Sequence, residues 1–365
     1  MYFKEIELKN FRNYEYCREF FSPEINIFIG ENGQGKTSLV EALYIMCLGR
    51  SFRTQKDKDM IKFGETSAVI RSVVYKNERN IRTEIVINEN EKKRIKINGI
   101  PKKKSDLSNN ILIVVFSPED LKIVKEDPEK RRRYINREIS QLYPSYYEAL
   151  VRYTKILNQR NTLIKTGNVN RIHLKVWDDE LIKYGSRIIF LRERFIERLS
   201  IISANIHSEI TEGKEELKIE YDGDISFNEN INEIINEFEK KLNFSFSKDM
   251  ARGITSHGHH RDDIKITIND VDVRKYGSQG QQRTAALSLK LAEIKLIEEE
   301  IGENPVLILD DVLSELDMSR QNYLIQSLKG VQVFLTSTSI SDEIADKFEE
   351  KIIFEIKEGK VINKV

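Results

Sequence analysis

The chain has 365 residues, too many for one small core and suited to a large α/β domain that carries an inserted or appended one. Lys plus Arg and Asp plus Glu stand at 59 each, so the net charge is zero and no global field draws the chain to nucleic acid or a membrane. Any DNA contact must come from local patches. Two cysteines without metal-type spacing, Cys17 and Cys47, point to a reducing compartment with no disulfide. An alternating N-terminus and the lack of a long apolar stretch exclude a signal peptide and a bilayer span, so a cytoplasmic protein is expected.

Strands are predicted at Phe3 to Leu8, Tyr14 to Phe20 and Ile25 to Ile29. Directly behind the last comes Gly30-Glu31-Asn32-Gly33-Gln34-Gly35-Lys36-Thr37, a complete G-x-x-x-x-G-K-[ST] loop, then an amphipathic stretch from Ser38 to Leu48. Backbone N–H groups of such a loop and the following helix N-terminus converge on a β-phosphate. Lys36 is the expected cation between the β- and γ-phosphates, and Thr37 an expected ligand of Mg2+. The chain is therefore expected to bind a nucleoside triphosphate.

Further strands are predicted at Ala68 to Tyr75, Ile81 to Ile87, Arg94 to Ile97 and Ile111 to Phe116, with Asn98-Gly99 as a hairpin tip. Ser117-Pro118-Glu119-Asp120 reads as a helix cap. From there to His207 apolar residues recur at threes and fours, which gives a helical lobe. The break at Thr166-Gly167-Asn168-Val169-Asn170 divides it into an antiparallel helix pair, whose seam reads either as a short coiled coil or as ordinary helix packing. Trp177 falls on the apolar stripe and reads as core. A strand (Leu217 to Tyr221), a helix (Ile231 to Leu242) and a strand (Ile264 to Ile268) lead back to the first domain.

After Tyr276-Gly277-Ser278-Gln279-Gly280-Gln281, a long helix, Gln279 to Glu300, precedes the apolar run Val306 to Leu309 and the acids Asp310-Asp311. A phosphate loop needs a carboxylate at the end of an adjacent buried strand. Asp310 is the expected magnesium residue and Asp311 the candidate general base. The Ser278 turn reads as a second anion site or as a plain N-cap. A helix (Met318 to Leu328), a strand (Val331 to Leu335), a helix (Ser341 to Phe348) and a strand (Ile352 to Ile356) complete a parallel α/β pattern. The basic run Lys130-Arg131-Arg132-Arg133 and the run Lys102-Lys103-Lys104 are each either a DNA contact or a solvated face. His257, His259 and His260 with Asp262 and Asp263 lack a clear metal-ligand set.

In order, the loop 30–37, the Ser278 turn, the strand ending in Asp310-Asp311, and Ser314-Glu315-Leu316-Asp317 resemble the Walker A, signature, Walker B and D-loop elements of ABC-type ATPase heads. Asn10-Phe11-Arg12-Asn13-Tyr14, Arg132-Arg133-Tyr134-Ile135-Asn136, Gly258-His259-His260-Arg261-Asp262-Asp263 and 276–284 narrow the likeness to the RecF family of the SMC-like superfamily. That resemblance implies an ABC-type P-loop head with a mixed sheet, built from 1–116 and 257–365, and an inserted mainly helical lobe at 117–256. It implies ATP and Mg2+ as cofactors and an ATP-dependent homodimer. In it, residues 30–38 (through Ser38) and Arg12 of one subunit and the turn of Ser278, Gly280 and Gln281 of the other enclose the nucleotide, and Asp317 of the D-loop is a further nucleotide-binding residue. It implies binding of double-stranded DNA and single/double-strand junctions, action with RecO and RecR, indirect service to RecA at gaps, and slow, switch-like ATP hydrolysis. A transporter's nucleotide-binding subunit and another SMC-like structural ATPase are the rival readings. The chain departs from many ABC heads in having Asp311 where Glu is common and no His in Thr336-Ser337-Thr338. It departs from the RecF pattern in having His259 where Pro is usual.

Overall fold

The computed structural model describes every residue except 108–110, 168–169, 228, 341 and 349, and describes 342–343 by backbone alone. Part of the expected interhelical break (168–169) and the expected helix start at Ser341 lie outside the described residues. The chain forms two compact units, one of Met1–Asp120 and Ile297–Val365, the other of Leu121–Leu296.

In the first unit, β1 (Tyr2–Phe11), β2 (Tyr14–Phe20), β4 (Ser67–Lys76), β5 (Arg79–Asn88), β6 (Arg94–Ile97) and β7 (Ile100–Lys102) make an antiparallel sheet in the order β2-β1-β4-β5-β6-β7. Its alternating residues put Phe3, Ile6, Leu8, Ile70 and Ile85 inward. Asn98 and Gly99 both take positive φ (49° and 80°), the backbone of a two-residue primed turn, and join β6 to β7 as the sequence implies. A second sheet runs β15-β14-β3-β13-β12-β8, with β3 (Ile25–Ile29), β8 (Ile113–Phe116), β12 (Val306–Asp310), β13 (Val333–Ser337) and β14 (Lys351–Lys357) parallel and β15 (Lys360–Lys364) antiparallel at its edge. The hairpin partner β15 was not legible in its short, polar sequence.

Helix α1 (Lys36–Leu48) is buried on nearly every side in the core that the two sheets share, so the stretch expected to be amphipathic has no solvent face. Phe21, Phe28, Phe334 and Phe354 meet there in stacked, tilted and edge-on pairs, with Phe21 and Phe334 4.8 Å apart between centroids. Buried Gln332 joins the sheets: its Oε1 accepts from Phe3 N (2.7 Å) and its Nε2 donates to the carbonyls of Phe3 and Ser22 (2.8 Å each). Helices α8 (Met318–Gln326) and α9 (Asp342–Ala345) lie in the crossovers.

The second unit holds α2 (Pro128–Leu142), α3 (Pro144–Lys165), α4 (Arg171–Ile210), α5 (Ile231–Arg252), α6 (Val273–Tyr276) and most of α7 (Gln279–Ile301), with a small antiparallel sheet β11-β10-β9. Its strands are β9 (Leu217–Asp222), β10 (Asp263–Ile268) and β11 (Val271–Asp272). The α3 and α4 helices pack along each other as the expected pair. Three sequence expectations change. Ser117 to Asp120 forms a tight turn in which Asp120 Oδ2 accepts from Ser117 N and Oγ, and the helix itself begins at Pro128, behind Asp127. Trp177 is only partly buried, beside fully buried Leu181 on the same helix. The return to the first unit comes at residue 297 instead of 257, because β10 pairs with β9 and α7 bonds to the lobe through Ser288 to His207 (3.1 Å) and Gln281 to Glu215 (2.9 Å).

Buried arginines tie this unit together. Arg160 on α3 donates to Asp178 on α4 (2.6 Å), to Asp249 on α5 (3.0 Å) and to Thr255 (2.8 Å). Arg192 on α4 holds Asn136 Oδ1 (2.7 Å), Tyr146 Oη (3.0 Å) and the His259 carbonyl (2.8 Å). His259, which replaces the usual Pro, is enclosed against the Tyr153 ring, 4.0 Å between centroids. Burial drives its pKa far down. It likewise pushes His260 down to about 4, where Tyr153 Oη donates to Nδ1 and Nε2–H donates to the Thr255 carbonyl.

Arg160→Met should cost about 3 to 5 kcal/mol in urea unfolding of this unit, since Asp249 would be left charged and buried; a loss under 1 kcal/mol would rule out that pairing as a determinant. The folded pKa of His260 is depressed, so the unfolded chain takes up its proton first as pH falls below about 6.5. Stability should therefore decline toward pH 4. His260→Gln should remove up to roughly 1.4 kcal/mol per pH unit of that decline, and an unchanged pH slope would refute the assignment.

Candidate nucleotide site

β3 lies between β14 and β13 in its sheet, and the loop leaves its C-terminal end, the side of an open α/β sheet on which ligands bind. Gly30 (φ 152°) runs so close to the Ile356 carbonyl that a Cβ could not fit. At Gly35 (φ 120°) a Cβ would stand 2.6 Å from Asn13 Nδ2 and 3.0 Å from Tyr14 Oη. Those groups support the loop from below. Asn13 Nδ2 donates to the Gln34 carbonyl (3.0 Å) and Tyr14 Oη to the Gly35 carbonyl (3.0 Å). A second support comes from the β14–β15 turn, where Gly359 N donates to the Gln34 carbonyl (2.9 Å) and Glu358 N to Gln34 Oε1 (2.7 Å). Glu31, Asn32 and Gly33 are left exposed at the tip.

Lys36 opens α1, and its buried side chain donates from Nζ to the carbonyls of Gly30 (2.6 Å) and Glu31 (3.0 Å), which aims the ammonium across the mouth of the loop. Thr37 Oγ1 lies 3.1 Å from Asp310 Oδ1, although 273 residues separate them. Adjacent oxygen ligands of an octahedral magnesium ion, each at about 2.1 Å, stand about 3.0 Å apart. The Thr37 and Asp310 oxygens fit that pair. Burial raises the Asp310 pKa, with the neighbouring Asp311 charge adding to it and bonds from Thr336 and Thr37 opposing it, so a cation is the natural partner for this carboxylate.

Asp311 sits in the left-handed region (φ 53°) at the strand tip. Its N–H donates to the Thr336 carbonyl (3.2 Å) and to Thr336 Oγ1 (3.0 Å), while the same hydroxyl donates to Asp310 Oδ1 (2.6 Å). One threonine thus orients both acids. The Asp311 carboxyl is raised by burial and pulled back by Lys36, which suits a proton acceptor more than a permanently ionised group. The sequence noted Thr336 only as a place without His; its role follows from the parallel register Asp310↔Thr336, which no local pattern encodes.

Several predicted residues serve as braces. Arg12, placed by the resemblance against nucleotide phosphates, has Nε and Nη2 on the two carboxylate oxygens of Glu41 in α1 (2.9 and 2.6 Å) and Nη1 on the Asp59 carbonyl (2.6 Å). Its guanidinium is engaged by buried Glu41, so its geometry is that of a clamp on α1. Asp317 caps α8, with Oδ1 accepting from Arg320 N (3.0 Å), and also pairs with the Arg320 guanidinium. In the other unit, exposed Ser278 and Gln281 form a reciprocal capping box: Ser278 N donates to Gln281 Oε1 (2.9 Å) and Gln281 N to Ser278 Oγ (3.2 Å). Gly280 lies in the first turn of that helix.

The basic run on α2 is engaged by neighbouring acids and a carbonyl. Arg131 is buried in a bidentate pair with Asp263 (2.7 and 2.5 Å), Arg132 donates to the Asp262 carbonyl (2.8 Å), and Arg133 and Lys130 pair with Glu129 and Glu126 one turn away. Arg131 and Arg132 thus tie α2 to the start of β10, while Lys130 and Arg133 stay at the surface in pairs with acids one turn away.

The family model described as RecF/RecN/SMC N terminal domain matches residues 2–362. The DNA replication and repair protein RecF of Alkaliphilus oremlandii (strain OhILAs) is 43% identical over 99% of this chain and 100% of its own. That of Clostridioides difficile (strain 630) is 45% identical over 100% and 98%. A solved structure of the recombination mediator protein RecF with ATP, in the RecFOR pathway, superposes with a TM-score of 0.92 at 38% identity, covering 100% of this chain and 97% of that one. An SMC head bound to the C-terminal winged-helix domain of ScpA aligns with a TM-score of 0.59 at 15% identity, a likeness of fold alone. With relatives this similar over nearly its whole length, the chain belongs to the RecF family of DNA replication and repair proteins.

Proposed function

We propose that the chain is an ATP-switched DNA clamp of recombinational repair. The observation that carries the proposal is the convergence of Thr37, Asp310, Asp311 and Thr336 beside the phosphate loop. Backbone N–H groups of residues 30–38 bind the phosphates, and Lys36 bridges the β- and γ-phosphates. Mg2+, held by Thr37 and Asp310, would neutralise charge on the phosphate oxygens. Asp311 takes the proton of the attacking water while Thr336 keeps its backbone fixed. The shorter Asp side chain fits slow turnover.

The site is completed over the γ-phosphate from outside the subunit. The exposed Ser278 turn at the start of α7, supplied by a second copy, completes it, so ATP binding drives a homodimer and hydrolysis releases it. The dimer grips double-stranded DNA and single/double-strand junctions. With RecO and RecR it assists RecA loading at gaps, in line with the RecFOR pathway in which the solved relative is placed. Family membership sets aside the transporter reading.

ATP with magnesium, but not ADP, should convert monomer to dimer in light scattering. Lys36→Ala should abolish both nucleotide binding and dimerisation, whereas Ser278→Arg should block only dimerisation; a dimer indifferent to nucleotide would sink the switch. Asp311→Asn should slow phosphate release by about 10² to 10⁴ with dimerisation retained, and wild-type turnover in that variant would remove Asp311 as base.

A further inference from the structure

The chain carries no net charge, so a surface for a polyanion has to be a place where cations outnumber nearby acids. Most of its basic clusters fail that test. On α2 the run 130–133 meets Glu126, Glu129 and Asp263. On the outer face of the antiparallel sheet, Arg18 pairs with Glu5, Arg71 with Glu7 and Glu84, and Lys96 with Glu84.

One cluster in the first unit is different. Gly49 ends α1 with φ 61°, and the stem of Lys104 packs on it so closely that a Cβ at Gly49 would stand 2.9 Å from Lys104 Cγ. Exposed Arg50 is the next residue. Lys93, just before β6, donates to Asp57 Oδ1 (2.7 Å). Asp57 is the one acid acting on Lys104, and among the described residues no carboxylate lies within ion-pair distance of Arg50 or Lys104. Three cations face one carboxylate. The carbonyl end of α1 offsets only about half an elementary charge, well short of the excess of two. Burial pushes the Lys104 ammonium down to about 8, and repulsion from Arg50 and Lys93 adds to the shift while Asp57 opposes it. The exposed Lys102 and Lys103 extend the charge along the β7 edge, which suits a line of phosphates more than a single anion.

We propose that Arg50, Lys93 and Lys104 form the site on this unit that grips the phosphate backbone of duplex DNA. The inference rests on the DNA-clamp reading above and names its contact surface. These residues hold the backbone without reading bases, so the contact is sequence-independent.

The test is a titration of a fluorescent duplex with the full chain and ATP. Replacing Arg50, Lys93 and Lys104 together by Gln should lower the slope of log K against log salt by about 2.7, so the affinity lost between about 50 and about 200 mM salt shrinks roughly 40-fold. ATP-driven dimerisation should be unchanged. The wild-type affinity should also fall up to about tenfold from about pH 7 to about pH 9 as Lys104 loses its proton, and Lys104→Arg, a milder change, should remove that fall. Wild-type slope and affinity in the triple variant would overturn the site and leave the clamp reading standing. So would an equal fall with pH in Lys104→Arg, or weaker binding that merely tracks loss of the dimer. Failure of the wild-type protein to bind duplex with ATP would overturn both.

Discussion

The Asp310 carboxylate is the point on which the nucleotide site depends. It ends a strand whose four preceding residues are buried and apolar, and it accepts hydroxyl protons from Thr37 in the first turn of α1 and from Thr336 in β13. A carboxylate enclosed in this way is costly unless hydrogen-bonded, and these bonds fix the parallel register of three segments at once. Strand order β3-β13-β12 then places loop, hydroxyl and acids side by side. The first unit's core reinforces the same geometry, because α1 is packed between the sheets and cannot shift without disturbing Phe28, Phe334 and Phe354.

The inserted unit uses a different physics. Beside the apolar stripes of its helices it relies on enclosed guanidinium groups, each with several oxygen partners on different segments. Such pairs add little net stability compared with apolar packing, but losing one partner leaves a bare buried charge. They therefore discriminate strongly against misaligned helix packing. Arg131 shows how a run that looks like a DNA patch in sequence becomes an internal tie once β10 brings Asp263 to it.

Much of the fold was legible from the sequence where one residue's conformation or a strict period decides it. The phosphate loop, the Asn98-Gly99 turn, the α3/α4 pair and the acidic strand end all belong to this kind, since the glycine requirement, the 3.6 period and the apolar run are local properties. What stayed illegible depends on pairing between distant segments. Thr336 acquires its role from register with Asp310, and Arg12 from the position of Glu41 one turn beyond Thr37 on α1. The late return to the first unit reflects β9–β10 pairing, and no composition shift marks it. Charge runs were ambiguous for the same reason: Lys130 to Arg133 and Lys102 to Lys104 look alike in one dimension and differ only in which acids the fold delivers to them.

The β14–β15 turn that holds Gln34 has a consequence for biosynthesis. A ribosome delivers the phosphate loop long before Glu358 and Gly359, which follow it with the whole inserted unit between. Synthesis proceeds at about 5–20 residues per second, so the loop spends many seconds without its latch and without Asp310. A nascent chain thus holds the loop by Asn13 and Tyr14 alone, and the second support joins only after the inserted unit has been made.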